Sequence, residues 1–220
     1  MKRFVVIGLG RFGAWIAREL HRQGFDVIAI DTDEDRVDRF AHEVTRAVAG
    51  DATDPEILRR AGAEGAEAAV VSTGTDLATG ILSTLALKEL GVKRIFAKVS
   101  SLRAAQAMSR FDIDEMIFPE REVAQRVAYR LATTAVLEYM PLGDRHSIQE
   151  IAIPDAWLGK SLRELGLRTQ GIQVVAIHDT LTDEWQPVPD PDRRLRDSDV
   201  AIVAGVTETV EKLMAEASGG

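Results

Sequence analysis

The sequence predicts an α/β protein: a doubly wound parallel sheet followed by a small C-terminal α+β lobe. Two observations carry that expectation. Short apolar runs alternate with helix-spaced amphipathic segments six times over about 120 residues, with short loops between them. That is the pattern of a parallel sheet covered by helices on both faces. After Met140-Pro141 the rhythm changes to strand-like runs separated by turns.

The elements follow in order. Residues 3–8, RFVVIG, form an apolar run before a glycine-rich turn and read as a buried strand. Residues 11–23 place Phe12, Ile16 and Leu20 at helical spacing and stop at Gly24. The strand FDVIAID ends at Asp31, and its helix carries Val37, Phe40 and Ala41. AVAG ends at Gly50, before a helix from Pro55 to about Ala61. AAVVS ends near Ser72, before a helix bearing Leu77, Ile81, Leu82, Leu85 and Leu90. RIFAKV ends at Val99, a helix covers about Leu102 to Arg110, and EMIFP ends at Pro119. A longer amphipathic helix is expected from Glu120 to Glu138, with Val123, Val127, Leu131 and Val136. The spacing therefore divides the chain into a nucleotide-binding domain, 1–138, and a C-terminal lobe, 139–220. In the lobe, strands are expected near 147–153, 172–178 and 200–204, with a short helix at Leu162–Leu165. QPVPDPDRR reads as an extended turn. A last helix is expected from Thr207 to Ala217, followed by a disordered Ser218-Gly219-Gly220 tail.

Composition limits the chemistry. With no cysteine among 220 residues, disulfides, thiolate zinc sites, iron–sulfur clusters and cysteine nucleophiles are excluded. A formal net charge of −8 argues against a nucleic-acid partner. Arg193, Arg194 and Arg196, beside Asp197 and Asp199, read as a solvated turn. The opening MKRFVVIGLGRFG is too short and too broken by glycine for a secretory signal. No apolar run approaches the length of a membrane span, so the cytoplasm is the expected compartment.

Gly8-Leu9-Gly10-Arg11-Phe12-Gly13 matches G-x-G-x-x-G after a predicted strand and at the start of a predicted helix. Asp31 ends the next strand, 18 residues beyond Gly13. In that context the motif is a dinucleotide-type phosphate loop. Gly8 allows the tight turn, Gly10 lets phosphate approach the backbone, and Gly13 lets the helix pack on the sheet. The helix N-terminus offers N–H groups to phosphate, and Asp31 should accept the ribose hydroxyls. Asp31 and Asp33, with no arginine read beside them, should exclude a 2′-phosphate and leave NAD, ATP or ADP.

Other positions keep two readings. Asp51, in Gly50-Asp51-Ala52-Thr53, meets the adenine or caps the helix at Pro55, a task that Thr53 or Asp54 performs equally well. Ser72-Thr73-Gly74 approaches the ligand, while Thr75 or Asp76 serves as a helix cap. Lys98 faces phosphate or lies on the surface. Arg11 is a fixed cation for a phosphate-rich ligand or an exposed first-turn arginine. The expected binding set is therefore Gly8, Gly10, Arg11, Phe12, Gly13, Asp31, Thr32, Asp33, Asp51, Ala52, Thr53, Ser72, Thr73, Gly74 and Lys98.

GLGRFG, Asp31, the AGDAT of 49–53, the LALKELG of 85–91 with the following KRIFAKV, and the FPE of 118–120 together resemble RCK (regulator of potassium conductance) domains. They are most similar to those of cytosolic KtrA/TrkA gating subunits of bacterial potassium uptake systems. WLGKSLRELGLRTQGIQVVAIHD, 157–179, is similar to the start of the small C-terminal lobe of the same proteins. The resemblance implies a regulatory subunit, not an enzyme. It implies homodimers formed through the 120–138 helix, octameric rings, and an integral membrane potassium-translocating partner at the inner face of the membrane. It implies a switch driven by ATP against ADP, with NAD(H) bound in some members. It also implies a cation near Glu120 and, in some relatives, cyclic di-AMP in the C-terminal lobe near Arg168 and Ile172.

Two rivals remain. An NAD-dependent oxidoreductase needs an acid or base near the nicotinamide. His21, His42, His146 and His178 are poorly placed for that, and neither Tyr129 nor Tyr139 has a lysine four residues on. A regulatory subunit of a cation antiporter would carry the same sequence features.

Overall fold

Six short parallel strands build the first half of the protein. The computed structural model describes residues 1–74, 76–133 and 135–218. Its first strands are β1 (Arg3–Ile7), β2 (Asp26–Asp31), β3 (Arg46–Ala49), β4 (Ala68–Val71), β5 (Ile95–Lys98) and β6 (Glu115–Ile117). They are ordered β3-β2-β1-β4-β5-β6, and every neighbouring pair is parallel. Helices α1 (Arg11–Arg22), α2 (Glu34–Phe40), α3 (Pro55–Ala61), α4 (Leu77–Glu89) and α5 (Leu102–Met108) connect them. The order reverses beside β1, where the chain first moves outward through β2 and β3 and then through β4. Such a reversal opens a crevice at the strands' carboxyl ends.

The central strands read as continuous apolar runs because both faces are covered. Val5, Ile7, Ile28 and Ile30 pack with Leu58, Leu87 and Ile95 on one side. Val6, Val27 and Ala29 pack with Ala14, Ala17, Val37 and Phe40 on the other. Each of these valine, leucine, isoleucine and phenylalanine side chains contributes about 1.5–3 kcal/mol by leaving water. Side chains cap four of these five helices: Asp33 for α2, Asp54 for α3, Asp76 for α4 and Ser101 for α5. Thr75, the other cap considered for α4, lies outside the described residues, as do Gly219 and Gly220 of the tail.

The second half departs from expectation. Helix α6 (Pro119–Ala132) ends well before Glu138. Val136–Leu142 is instead a strand, β7, antiparallel to β8 (His146–Ala152). The chain divides into compact units between Glu120 and Arg121, upstream of the expected 138/139 boundary. The physical reason lies in α6 itself: Tyr129 stacks on Tyr139 with ring centroids 3.9 Å apart and packs against the second unit's core. That unit holds a five-stranded sheet ordered β10-β9-β11-β8-β7. Its remaining members are β9 (Gln173–Asp179), β10 (Glu184–Gln186) and β11 (Asp199–Val206), with helices α7 (Leu162–Leu165) and α8 (Thr207–Ser218). Pro141 sits within β7 because an edge strand needs no second ladder partner. The chain turns only at Gly143, where φ is +67°. Arg193 is not solvated either: it forms a bidentate pair with the buried Asp199, both bonds 2.7 Å. Among the described residues no helix is long and apolar enough to cross a membrane.

Candidate nucleotide-binding site

The glycine loop between β1 and α1 is dictated by close approach. Gly8 adopts φ +89°, and a Cβ there would lie 2.3 Å from the Ser72 carbonyl oxygen. A Cβ on Gly13 would lie 2.0 Å from the Gly8 carbonyl oxygen, so only glycine lets α1 seat against the loop. Gly10 differs, since nothing lies within 4 Å of its added Cβ. Its freedom from side-chain bulk serves whatever enters from the crevice. Gly10 is also the N-cap of α1 and provides no side-chain cap, and the first turn contains no acid. The first N–H groups of a helix have no carbonyl partners of their own. Such an uncapped start, with the positive end of the helix dipole, is of the kind that suits an anion.

Asp31 anchors the neighbouring strand end. Its buried carboxylate accepts the Leu9 N–H at 2.6 Å through Oδ2 and the Asp33 N–H at 2.9 Å through Oδ1. Each oxygen retains a second lone pair for a ribose hydroxyl. Asp33 caps α2 by accepting the Arg36 N–H. The expectation of no arginine beside these acids is overturned. Arg36 Nε lies 3.1 Å from Asp33 Oδ2, and its Nη1 lies 3.5 Å from Asp31 Oδ2. Helix α2 begins directly after Asp33, and that start folds residue 36 back over the acids.

These groups border a cleft of about 460 Å³ lined by Ile7, Gly8, Gly10, Ile30, Asp31, Thr32, Arg36, Gly50, Asp51, Ala52, Ser72, Thr73, Gly74, Asp76 and Thr79. Pockets for small molecules and cofactors fall in the same size range. Of the expected binding set, the structure gathers Gly8, Gly10, Asp31, Thr32, Asp51, Ala52, Ser72, Thr73 and Gly74 around this cleft. It adds the polar side chains of Arg36, Asp76 and Thr79, together with Ile7, Ile30 and Gly50. The i,i+3 spacing of Asp33 and Arg36 from a helix cap was the signal for the first of these.

Arg11, Phe12, Gly13, Asp33, Thr53 and Lys98 do not line the cleft. Arg11 is exposed at the start of α1. Lys98 is neither a surface lysine nor a wall of this cleft. Its largely buried amine pairs with Glu120 Oε1 at 2.6 Å, sits 5.9 Å from the Phe12 ring centroid, and borders a small adjoining cavity with Thr73 and Gly74. Thr53 donates its N–H and hydroxyl to Asp51 Oδ1, at 2.9 and 2.8 Å. Because Asp54 caps α3, Asp51 is a lining residue and not a cap.

Glu120 was expected near a cation. The hydrogen bond from Lys98 holds its carboxyl below the usual glutamate range, and the charge of Arg11 adds to that effect. Among the described residues no three His, Asp or Glu side chains converge as a cation site. One chain therefore offers Glu120 a lysine partner, not a cage. In the second unit Ile172 is buried and Arg168 Nε donates to Gln173 Oε1 at 3.0 Å.

Residues 4–119 match the model of the TrkA-N domain, and residues 148–218 match that of the TrkA-C domain. The chain belongs to the TrkA family. It is 38% identical over 177 residues to Ktr system potassium uptake protein C of Bacillus subtilis, covering 80% of each chain. It is 34% identical over 205 residues to Ktr system potassium uptake protein A of Vibrio alginolyticus, covering 93% of this chain and 92% of the other. The TrkA fold is shared with the GsuK RCK domain crystal structure, at TM-score 0.65 and 15% identity, over 98% of this chain and 48% of that one. A GsuK channel structure bound to NAD matches at TM-score 0.51 and 25% identity, over 100% of this chain and 39% of that one.

Proposed function

We propose that this TrkA-family chain is a nucleotide-sensing regulatory subunit of a potassium uptake system. It works in the cytoplasm at the inner face of the membrane, as a dimer within an octameric ring, against an integral membrane potassium-translocating subunit. The observation that carries the reading is the uncapped start of α1 beside Asp31, in a chain whose halves match TrkA-N and TrkA-C. ATP and ADP, or NAD(H), are its ligands, and the NAD-bound GsuK channel supports that class.

The chain's own residues do the binding. Gly10 leaves room for phosphate, the α1 N–H groups receive it, and Asp31 takes the ribose hydroxyls. A ligand shifts an equilibrium only through its different affinity for the two states. ATP and ADP differ at the terminal phosphate, so the sensing group must lie near the α1 start, where Arg11 stands. The role is binding, not catalysis. A cation near Glu120, beside its pair with Lys98, and cyclic di-AMP in the second lobe are further ligands that the family resemblance implies.

The test is potassium uptake in a bacterial host lacking such subunits, with this chain co-expressed beside a Ktr-type membrane subunit. Wild type restores growth at low potassium, and Asp31→Ala does not. Equal growth with and without the chain refutes the proposal.

A further inference from the structure

The sheet order divides the cleft. Gly8 and Gly10 lie at its middle, Ser72–Gly74 follow β4 on one flank, and Asp31–Thr32 with Gly50–Ala52 follow β2 and β3 on the other. With phosphate at the α1 start and ribose at Asp31, the remainder of a nucleotide continues onto the β2–β3 flank. Among the described residues lining the cleft, Arg36 is the one cation. Its side chain is half exposed, and Asp31 and Asp33 hold its guanidinium within 3.5 and 3.1 Å.

Charge decides what that guanidinium receives. Asp31, Asp33 and Asp51 outnumber Arg36 here, so the flank remains net negative and opposes another phosphate. A neutral flat ring meets no such opposition. A planar, weakly hydrated guanidinium presents a face on which an aromatic ring stacks. Asp51 adds a second criterion. Both of its bonds to Thr53 fall on Oδ1, and its carboxylate can accept only from a donor. The exocyclic amine of adenine is such a donor.

We infer that Arg36 is a binding residue, the platform on which the adenine of a bound nucleotide stacks. The inference rests on the nucleotide reading above and names the part of the ligand that the β2–β3 flank takes. Lysine preserves the charge and the pairing with Asp31 but lacks the plane, and tyrosine supplies a plane without charge. The two substitutions therefore separate stacking from electrostatics.

The experiment is calorimetric titration of the full chain with ATP, NADH and GTP, with melting temperature recorded for every variant. Wild type binds ATP and NADH, and GTP reports whether the platform takes any purine. Arg36→Ala weakens ATP and NADH about 2- to 30-fold, the span of a cation–π contact. Arg36→Lys remains weak, while Arg36→Tyr recovers most of the loss. Unchanged ATP affinity in Arg36→Ala, or full recovery by lysine, overturns the inference while leaving the nucleotide site in place. A wild-type chain that binds neither ATP nor NADH overturns the nucleotide reading itself.

Discussion

Asp31, at the end of β2, accepts the backbone N–H of Leu9 at 2.6 Å, so the residue assigned to the ribose also fixes the glycine loop. Binding and loop geometry therefore fail together when it is removed. Asp31→Ala should weaken ATP, ADP and NADH in parallel. It should also lower the melting temperature by a few degrees, because a buried N–H without an acceptor costs about 1–3 kcal/mol. Asp31→Asn retains a carbonyl for Leu9 and should melt closer to wild type while binding remains weak. Calorimetry and thermal melts on the same samples separate the two effects.

Gly10 and Gly13 belong to one motif but answer to different constraints. A Cβ on Gly13 collides with the Gly8 carbonyl at 2.0 Å, whereas one on Gly10 meets nothing within 4 Å. Gly13→Ala should destabilise the free protein. Gly10→Ala should fold and melt like wild type yet bind nucleotide poorly, since its methyl occupies the path of the phosphate. Equal stability losses for both would contradict the geometry.

Arg11 is exposed at the first position of α1, where its side chain can fold over the phosphate path or extend to a neighbouring copy. A charged hydrogen bond to the terminal phosphate is worth about 1.5–3 kcal/mol. Arg11→Ala should therefore cost ATP roughly 10- to 150-fold and ADP much less. Side-by-side titrations with equal losses would make it an ordinary surface residue.

Acid should act on the α4 cap. The Thr79 hydroxyl, and then the Thr79 N–H, hold the Asp76 carboxyl below its ordinary value of 3.8. A carboxylate depressed in the folded state contributes stability above its unfolded value and loses it as pH falls through the folded one. Stability should therefore drop below about pH 4. Asp76→Asn, still a competent cap, should flatten that part of the profile, as read by melting temperature against pH.

The parallel half was legible because both of its signals are local. Strand-then-helix periodicity and the glycine spacing each fit within one βαβ unit, so β1 to β6 and the loop emerge from sequence. Strand β7 was hidden: Val123, Val127 and Leu131 establish an apolar helical spacing into which Val136 also falls. What makes 136–142 a strand is its pairing with β8, which local spacing does not encode. Arg36 was missed for a similar reason. Its approach to Asp31 depends on where α2 starts, and Asp33 determines that start by capping Arg36 N–H. Lys98 and Glu120 read as separate site residues because 22 positions separate them, and only adjacent β5 and β6 bring them together.

The most direct test of the account is calorimetric titration of the purified full chain with ATP, NADH and NADPH. The account predicts saturable binding of ATP and NADH, abolished or strongly weakened by Asp31→Ala. It predicts NADPH at least about 10-fold weaker than NADH, because its 2′-phosphate meets the carboxylates of Asp31 and Asp33 against one guanidinium. Absence of binding by ATP and NADH, or NADPH bound as tightly as NADH, would contradict it.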